Sequence, residues 1–159
     1  MAPKVKTKQN APAAFADEAL SVRFAHDAEN YAEAAIALGD ETKFHSVRYH
    51  LFCHAFELIL KSFILSAGGN QSVLFSIGHR LNDALAEAVK RGYEPSHQGF
   101  DTLIDWLHPF HAEHDFRYAR GGYQMLPTAD DLLAAFKTAH AEIAPLARAA
   151  YLKKHPPAS

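Results

Sequence analysis

One segment constrains the fold of this chain more than any other, because it is apolar on nearly every side of a predicted helix. It runs from about Thr42 to Ala67 and reads TKFHSVRYHLFCHAFELILKSFILSA. A helix of that length spans roughly 39 Å at about 1.5 Å per residue. A helix that lacks a broad polar face belongs at the centre of a bundle or in an interface between subunits. The segment therefore predicts a core helix that other elements surround.

The remaining segments predict helices rather than strands. Val, Ile and Thr together number only 16, and no stretch alternates apolar and polar residues for long. Besides the core helix, the predicted helices run from about Asp17 to Leu38, His79 to Arg91, Phe100 to Tyr118 and Ala129 to Lys154, with an irregular stretch after Asn70. The expected fold class is all-α, an up-and-down antiparallel bundle of four long helices plus one short helix.

Local signals refine these helices. Five residues at helical spacing predict the buried face of the first helix: Leu20, Phe24, Ala28, Tyr31 and Ala35. Ser96 is a candidate N-cap for the fourth helix, and Thr128 with Asp131 resembles a capping box at the start of the last one. Pro109 and Pro145 are expected to bend the helices that contain them.

Length and composition favour a single soluble domain. The 159 residues suit one bundle domain over residues 15–155, with disordered tails at residues 1–14 and 156–159. The net charge of -2 excludes a broadly basic surface for nucleic acid but permits a local basic patch. Cys53 is the only cysteine, which indicates a reduced, cytoplasmic protein. No apolar run approaches about 18 residues, so no membrane-spanning helix is expected.

Histidine is frequent, with 11 residues of this type. Seven of them fall in two stretches: His45, His50 and His54, then His97, His108, His111 and His114. The last three follow at steps of three residues, so each ring is turned by about 60° from the one before on a regular helix. Because that spacing does not bring three rings to one ion and no HExxH motif is present, neither a metal ion nor another cofactor is expected.

Two groups of polar residues could carry chemistry. On the core helix, His50, His54, Glu57 and Lys61 follow at steps of four, three and four and share one narrow polar stripe. That stripe is either an ion pair at the edge of the core or one wall of a polar cleft. The second group contains two arginines and two tyrosines: Arg117, Tyr118, Arg120 and Tyr123. Guanidiniums and phenols suit phosphate binding and base stacking. Equally, cations are favoured at the C-terminal end of a helix by its dipole alone, without any ligand. His79, at a helix start, is expected to cap that helix or to bridge to a neighbour.

Three motifs in this order resemble those of the HEPN domain superfamily. They are an AxE…lKa pattern in the second helix, an H-x-L and a late RY, matched here by Ala55, Glu57, Lys61, His79, Leu81, Arg117 and Tyr118. The resemblance covers about residues 17–150. It implies a bundle of four to five helices, usually dimeric. It also implies an association with small nucleotidyltransferases or with toxin–antitoxin and abortive-infection systems.

The resemblance also bears on catalysis. Ribonuclease members of the superfamily use an Arg-x4-6-His motif, but no histidine follows Arg117 within seven residues, which favours the non-nuclease RY type. Arg48 and His54 have the spacing but lie in the wrong helix, and Arg148 and His155 run into the Pro-rich tail. The missing histidine argues against an enzyme, and the question of a remaining catalytic activity stays open. If it is a ribonuclease, the candidate residues are Arg48, His54, His114 and Arg117.

The function expected from these observations is a homodimeric binding module for a nucleotide, RNA or a partner protein such as a nucleotidyltransferase. The system it would serve is toxin–antitoxin or stress defence. The residues expected to line its cleft are Glu57, Lys61, His79, His114, Arg117, Tyr118 and Arg120. Two alternatives remain: a metal-independent HEPN ribonuclease, and a structural or assembly protein without a ligand.

Overall fold

The computed structural model describes residues 16–112 and 127–159. Within those ranges the chain forms six α-helices and no strand. A single 3-10 turn, Thr42–Phe44, precedes the second helix. The helices are α1 (Asp17–Ala37), α2 (His45–Ser66), α3 (Gln71–Ile77), α4 (Leu81–Lys90), α5 (Phe100–Ala112) and α6 (Ala129–Lys154). The predicted all-α bundle is confirmed.

Helix α2 lies at the centre of the bundle. Every residue from 55 to 65 is buried, and α1, α4, α5 and α6 all pack against this helix. Rings of two neighbouring helices meet Phe56 edge to face, with centroids 5.8 Å from Phe100 and 5.9 Å from Phe136. The prediction of a core helix is therefore confirmed, since the chain itself buries residues 55–65 of α2.

The directions of the long helices follow from contacts between their ends. Ser21, near the start of α1, exchanges hydrogen bonds with Ser62, near the end of α2: each hydroxyl donates to the other residue's carbonyl at 2.7 Å. Lys154 at the end of α6 lies 2.5 Å from Glu18 at the start of α1. Helix α1 is therefore antiparallel to both α2 and α6, as an up-and-down bundle requires.

The buried face of α1 differs from the prediction. Its centre is a row of small residues, Ser21, Ala25, Ala28, Ala32 and Ala35, whereas Leu20, Phe24 and Tyr31 are only partly buried and pack at its borders. Small side chains let the backbones of α1 and α2 approach closely. The prediction gave more weight to the large apolar residues, although the line of closest approach runs along the small ones.

Two local predictions, those for the stretch after Asn70 and for Ser96, were wrong, and the predicted start of α4 was two residues early. The stretch after Asn70 is helix α3, whose first turn is capped by the Asn70 side chain accepting a hydrogen bond from Val73 N at 3.0 Å. Helix α4 begins at Leu81 rather than at His79. Ser96 is not an N-cap, because it lies four residues before α5 and its backbone N–H and hydroxyl both donate to Glu142 of α6.

Two predictions about the last helix, its cap and its bounds, are confirmed, whereas the bends expected at Pro109 and Pro145 stay predictions. The Thr128 hydroxyl accepts a hydrogen bond from Asp131 N at 3.1 Å, and α6 has the predicted bounds. Pro109 and Pro145 lie inside helices that continue past them. The predicted part of the fourth helix beyond residue 112 lies outside the described residues, as does the predicted tail at residues 1–14. Residues 156–159 are exposed and lie outside any helix.

None of the described helices combines the length and the apolar character that crossing a lipid bilayer would require.

Candidate functional site

The site is built around one buried carboxylate on the otherwise apolar central helix. Glu57 lies in the middle of α2, and its side chain is 3% exposed. An ionised carboxylate removed from water in this way is strongly destabilising unless cations and hydrogen-bond donors surround it. Its environment therefore decides what the site can do.

Four side chains surround the Glu57 carboxylate. Lys61 Nζ donates to Oε1 at 2.6 Å, and His111 Nε2 lies 2.6 Å from Oε2. His79 Nδ1 lies 3.1 Å from both oxygens. His54 Nδ1 is more distant, 3.8 Å from Oε2. We refer to Glu57, Lys61, His54, His79 and His111 as the Glu57 cluster.

Three separate parts of the chain supply the cluster. His54 and Lys61 lie three residues before and four residues after Glu57, so helical spacing places them beside the carboxylate. His79 comes from the turn between α3 and α4. In this turn Gly78 has a φ of 60°, a conformation that glycine adopts readily. The Gly78 carbonyl accepts a second hydrogen bond from Lys61 Nζ at 2.7 Å, so this turn holds the lysine as well.

His111 comes from the far end of α5 and is 2% exposed. It lies four residues after Leu107 and continues the buried face formed by Leu103, Ile104 and Leu107. Within the described residues its Nδ1 atom is buried and has no hydrogen-bond partner. The only described polar contact of the buried His111 ring is therefore the one between Nε2 and Glu57, and this contact determines where the ring lies.

The balance of burial and positive neighbours decides the charge of Glu57. Burial acts to raise the pKa of this carboxyl group. The hydrogen bond with His111, the nearby His54 imidazole and the ammonium of Lys61 outweigh burial and hold the pKa of Glu57 well below its usual range. Glu57 is therefore a carboxylate at neutral pH, and it is unsuited to donate a proton.

The imidazoles of the cluster also contact other rings. The His54 ring meets Tyr31 edge to face with centroids 4.4 Å apart. The His50 ring has its centroid 6.3 Å from that of His54 and 6.2 Å from that of His111. A fourth histidine of the sequence therefore lies beside the cluster. These contacts restrict the rotation of the imidazoles and hold their nitrogens near the carboxylate.

Cys53 is next to the cluster in sequence but does not offer a nucleophile. It is fully buried, and burial, reinforced by the negative charge of Glu57, raises the pKa of its thiol. Since the thiolate is the reactive form, this cysteine has a structural role as a small apolar side chain.

A pocket of about 470 Å³ opens on one side of the cluster. Lys61, His79 and Gln71 supply its polar side chains. Its apolar walls come from Leu20 and Phe24 of α1 and from Leu74 and Phe75 of α3. Phe75 is 90% exposed, the most exposed large apolar side chain among the described residues. The pocket thus combines an ammonium and an imidazole with an exposed aromatic ring.

The structure brings together three of the residues predicted for the cleft, Glu57, Lys61 and His79. His79 bridges to the neighbouring helix α2, as one of its two expected roles required. The other predicted ligands, His114, Arg117, Tyr118 and Arg120, lie outside the described residues. Sequence reasoning did not assign His111 to this site. Its signal was its position one turn after Leu107 on the apolar face of α5.

Of the two described residues named for a ribonuclease, His54 joins the cluster and Arg48 does not. The Arg48 side chain is buried at the corner between α1 and α2, where it donates to the Ala35 carbonyl at 3.0 Å and pairs with Asp40. Its guanidinium holds the end of α1 in place. This arrangement gives Arg48 a structural role at the corner between α1 and α2.

Comparisons of the chain with models of protein families, with curated proteins and with solved structures found no match.

Proposed function

We propose that this protein is a HEPN-like helical binding module that holds a nucleotide or a stretch of RNA in the pocket beside Lys61 and His79. The observation that carries the proposal is the composition of this pocket. A buried ammonium and a half-exposed imidazole belong to its polar part, and an almost fully exposed aromatic ring also lines it. A phosphate and a nucleobase are complementary to these two parts.

The polar part suits a phosphate group. Lys61 lines the pocket, and its bonds to Glu57 and to the Gly78 carbonyl account for two of its three N–H donors. His79 is 56% exposed and places its imidazole ring beside Lys61 in the lining of the pocket. Because Glu57 and the turn at Gly78 already hold both side chains in place, ligand binding costs little further ordering of the pocket.

The apolar part suits a base. Every base has a π face that stacks on an aromatic side chain, and a stacked ring contributes roughly 1–3 kcal/mol to single-strand binding. Phe75 is exposed at the surface while Leu74, its neighbour, is buried in the core. An exposed phenylalanine beside a charged group is typical of a ligand-binding surface rather than of a core.

The resemblance to the HEPN superfamily supports the same site. Glu57 and Lys61 belong to the AxE…lKa pattern and His79 to the H-x-L pattern, and these motif residues contact one another in the structure. A nucleotidyltransferase partner and a role in toxin–antitoxin or stress defence follow from that resemblance and form part of the proposal.

The test is a binding measurement with Phe75 variants. A panel of adenine, guanine, cytosine and uracil nucleotides and a labelled single-stranded RNA are titrated by calorimetry and fluorescence anisotropy. We expect Phe75→Ala to weaken binding by about tenfold or more, since it removes the stacking ring. Phe75→Tyr is expected to retain binding. Because Phe75 is nearly fully exposed, neither change is expected to affect folding.

Val89→Ala is the matched control, because Val89 is also an exposed apolar residue but lies outside this pocket. Equal losses in Phe75→Ala and Val89→Ala, or no binding of any nucleotide or RNA by the wild type, would contradict the proposal. The same RNA incubated in EDTA shows whether it is cleaved. Cleavage would replace the binding module by the ribonuclease alternative.

A further inference from the structure

We propose that His54, Glu57 and His111 form a binding site for one divalent transition-metal ion of the zinc type. Each of the three residues offers one ligand atom, and the three atoms lie within 4.8 Å of one another. They come from two helices, α2 and α5, and so meet only in the folded chain. A donor set of imidazole nitrogens and one carboxylate oxygen suits zinc, nickel and copper ions, whereas magnesium and calcium ions prefer oxygen ligands alone.

The distances fit coordination after small side-chain movements. Zinc binds histidine nitrogens at about 2.0–2.1 Å and carboxylate oxygens at about 2.0–2.2 Å, so two ligand atoms of a tetrahedral ion lie about 3.4 Å apart. Glu57 Oε2 is 2.6 Å from His111 Nε2 and 3.8 Å from His54 Nδ1. One separation is shorter and the other longer than the tetrahedral value. An ion among the three atoms would replace the hydrogen bond that now joins Glu57 and His111.

The carboxylate is already oriented for this role. Lys61 holds Oε1 at 2.6 Å, whereas the two prospective imidazole ligands face Oε2. Lys61 therefore keeps its hydrogen bond when Oε2 binds an ion. Groups that hold the second oxygen of a ligating carboxylate in this way are a regular part of metal sites, because they fix the orientation of the ligand.

The exposure of the three ligands shows from which side an ion would reach the site. Glu57 and His111 are 3% and 2% exposed, while His54 is 27% exposed and forms the open side of the site. Three protein ligands leave a fourth position on that side for water or another ligand, which is the pattern of zinc sites that keep an open position. The sequence argument against a metal considered histidines of one helix, whereas this set combines two helices.

The site is tested by titrating EDTA-treated, dialysed protein with Zn²⁺ by calorimetry and with Co²⁺ by visible absorption. We expect one equivalent to bind, with the intense visible bands of tetrahedral Co²⁺. His54→Ala, at the partly exposed ligand, is expected to weaken binding at least tenfold while leaving the far-UV circular dichroism spectrum unchanged. His54→Cys is expected to restore binding and to add a sulfur-to-cobalt charge-transfer band.

His140→Ala is the matched control, because His140 is also partly buried and lies 3.9 Å from a carboxylate, that of Glu29, but belongs to another part of the molecule. It is expected to leave the affinity and the Co²⁺ spectrum unchanged. No stoichiometric binding by the wild type, or binding that His54→Ala and His140→Ala weaken equally, would overturn the proposal. The readout needs no nucleotide or RNA, so failure here is distinct from failure of the proposed function.

Discussion

At the scale of single residues, Glu57 is the unusual feature of this molecule. It places an ionised carboxylate in the middle of the helix that forms the core, and the bundle compensates with Lys61 and three imidazoles. Such a cluster adds little net stability over apolar side chains of the same size. Removing one member, by contrast, leaves an uncompensated charge. We therefore expect the cluster to be sensitive to pH and to substitution.

The first prediction concerns acid stability. The pKa of Glu57 is lower in the folded protein than the ordinary value of 4.5, so the folded state holds the ionised form more firmly than the unfolded chain does. The stability from this group is present in full above pH 4.5 and is lost as the pH falls further. Urea unfolding in EDTA between neutral pH and pH 3 is expected to show a decline below about pH 4.5 that is weaker in Glu57→Gln.

At neutral pH, Glu57→Gln is expected to lower the free energy of unfolding by about 3–5 kcal/mol, because Lys61 then stays buried without its counter-charge. Glu33→Gln serves as the control, since Glu33 is an exposed carboxylate on α1. Its free energy of unfolding and its acid profile are expected to match the wild type. If Glu57→Gln and the wild type lose stability in parallel below pH 4.5, Glu57 does not contribute to the acid transition.

At the scale of secondary structure elements, the contact between α1 and α2 depends on small residues. Ala28 and Ala35 are fully buried in the row of small residues on α1, and Ser21 and Ser62 exchange hydrogen bonds across the same contact. Close packing of this kind leaves no room for longer side chains. The helix pair is therefore expected to tolerate changes on its outer face and to resist enlargement along the row.

A pair of identical substitutions on α1 tests this packing. Ala28→Leu is expected to lower the free energy of unfolding by about 1–3 kcal/mol, because it overpacks the contact between the two helices. Ala34→Leu is the control, as Ala34 lies on the exposed side of the same helix and leucine is also a good helix former. Both values come from thermal and urea unfolding followed by circular dichroism. Equal effects of the two substitutions would show that α1 does not pack closely along this row.

At the scale of the whole molecule, one shared core joins the helices, and it buries residues 55–65 of α2 within a single chain. A dimer is therefore not required to bury this part of α2. A dimer would cover exposed apolar side chains, and the described residues expose Trp106 of α5, Val89 of α4, Leu146 of α6 and Val47 at the start of α2 to between 46% and 50%. These exposed side chains are apolar, as many residues of homodimer interfaces are.

The prediction at this scale is that the protein forms a homodimer, as its resemblance to the HEPN superfamily implies. Light scattering coupled to size exclusion is expected to give twice the chain mass of 17.6 kDa at micromolar concentration. If α5 lies in the interface, Trp106→Asp is expected to shift the measured mass towards that of the monomer. If the exposed start of α2 lies there instead, Val47→Asp is expected to cause that shift. A wild-type mass of a single chain would contradict the dimer. It would leave the pocket beside Lys61 unaffected.

The sequence alone determined the features that depend on neighbouring residues along the chain. Helical periodicity predicted the all-α class, the core position of α2 and the bounds of α6, and the steps of four and three predicted that His54, Glu57 and Lys61 share one stripe. It missed α3, because Asn70 was not recognised as the N-cap of so short a helix. It misplaced the centre of the α1 face, because periodicity does not show whether large or small residues lie at the closest approach.

The tertiary structure decided which distant residues reach Glu57. His79 and His111 are 22 and 54 residues away along the chain, and their contact with the carboxylate depends on how α4 and α5 are rotated and where they cross α2. A side chain's position across a bundle follows from the packing of whole helices, which local spacing does not encode. For that reason the polar stripe could be predicted from the sequence. The cluster of three imidazoles around one carboxylate required the folded chain.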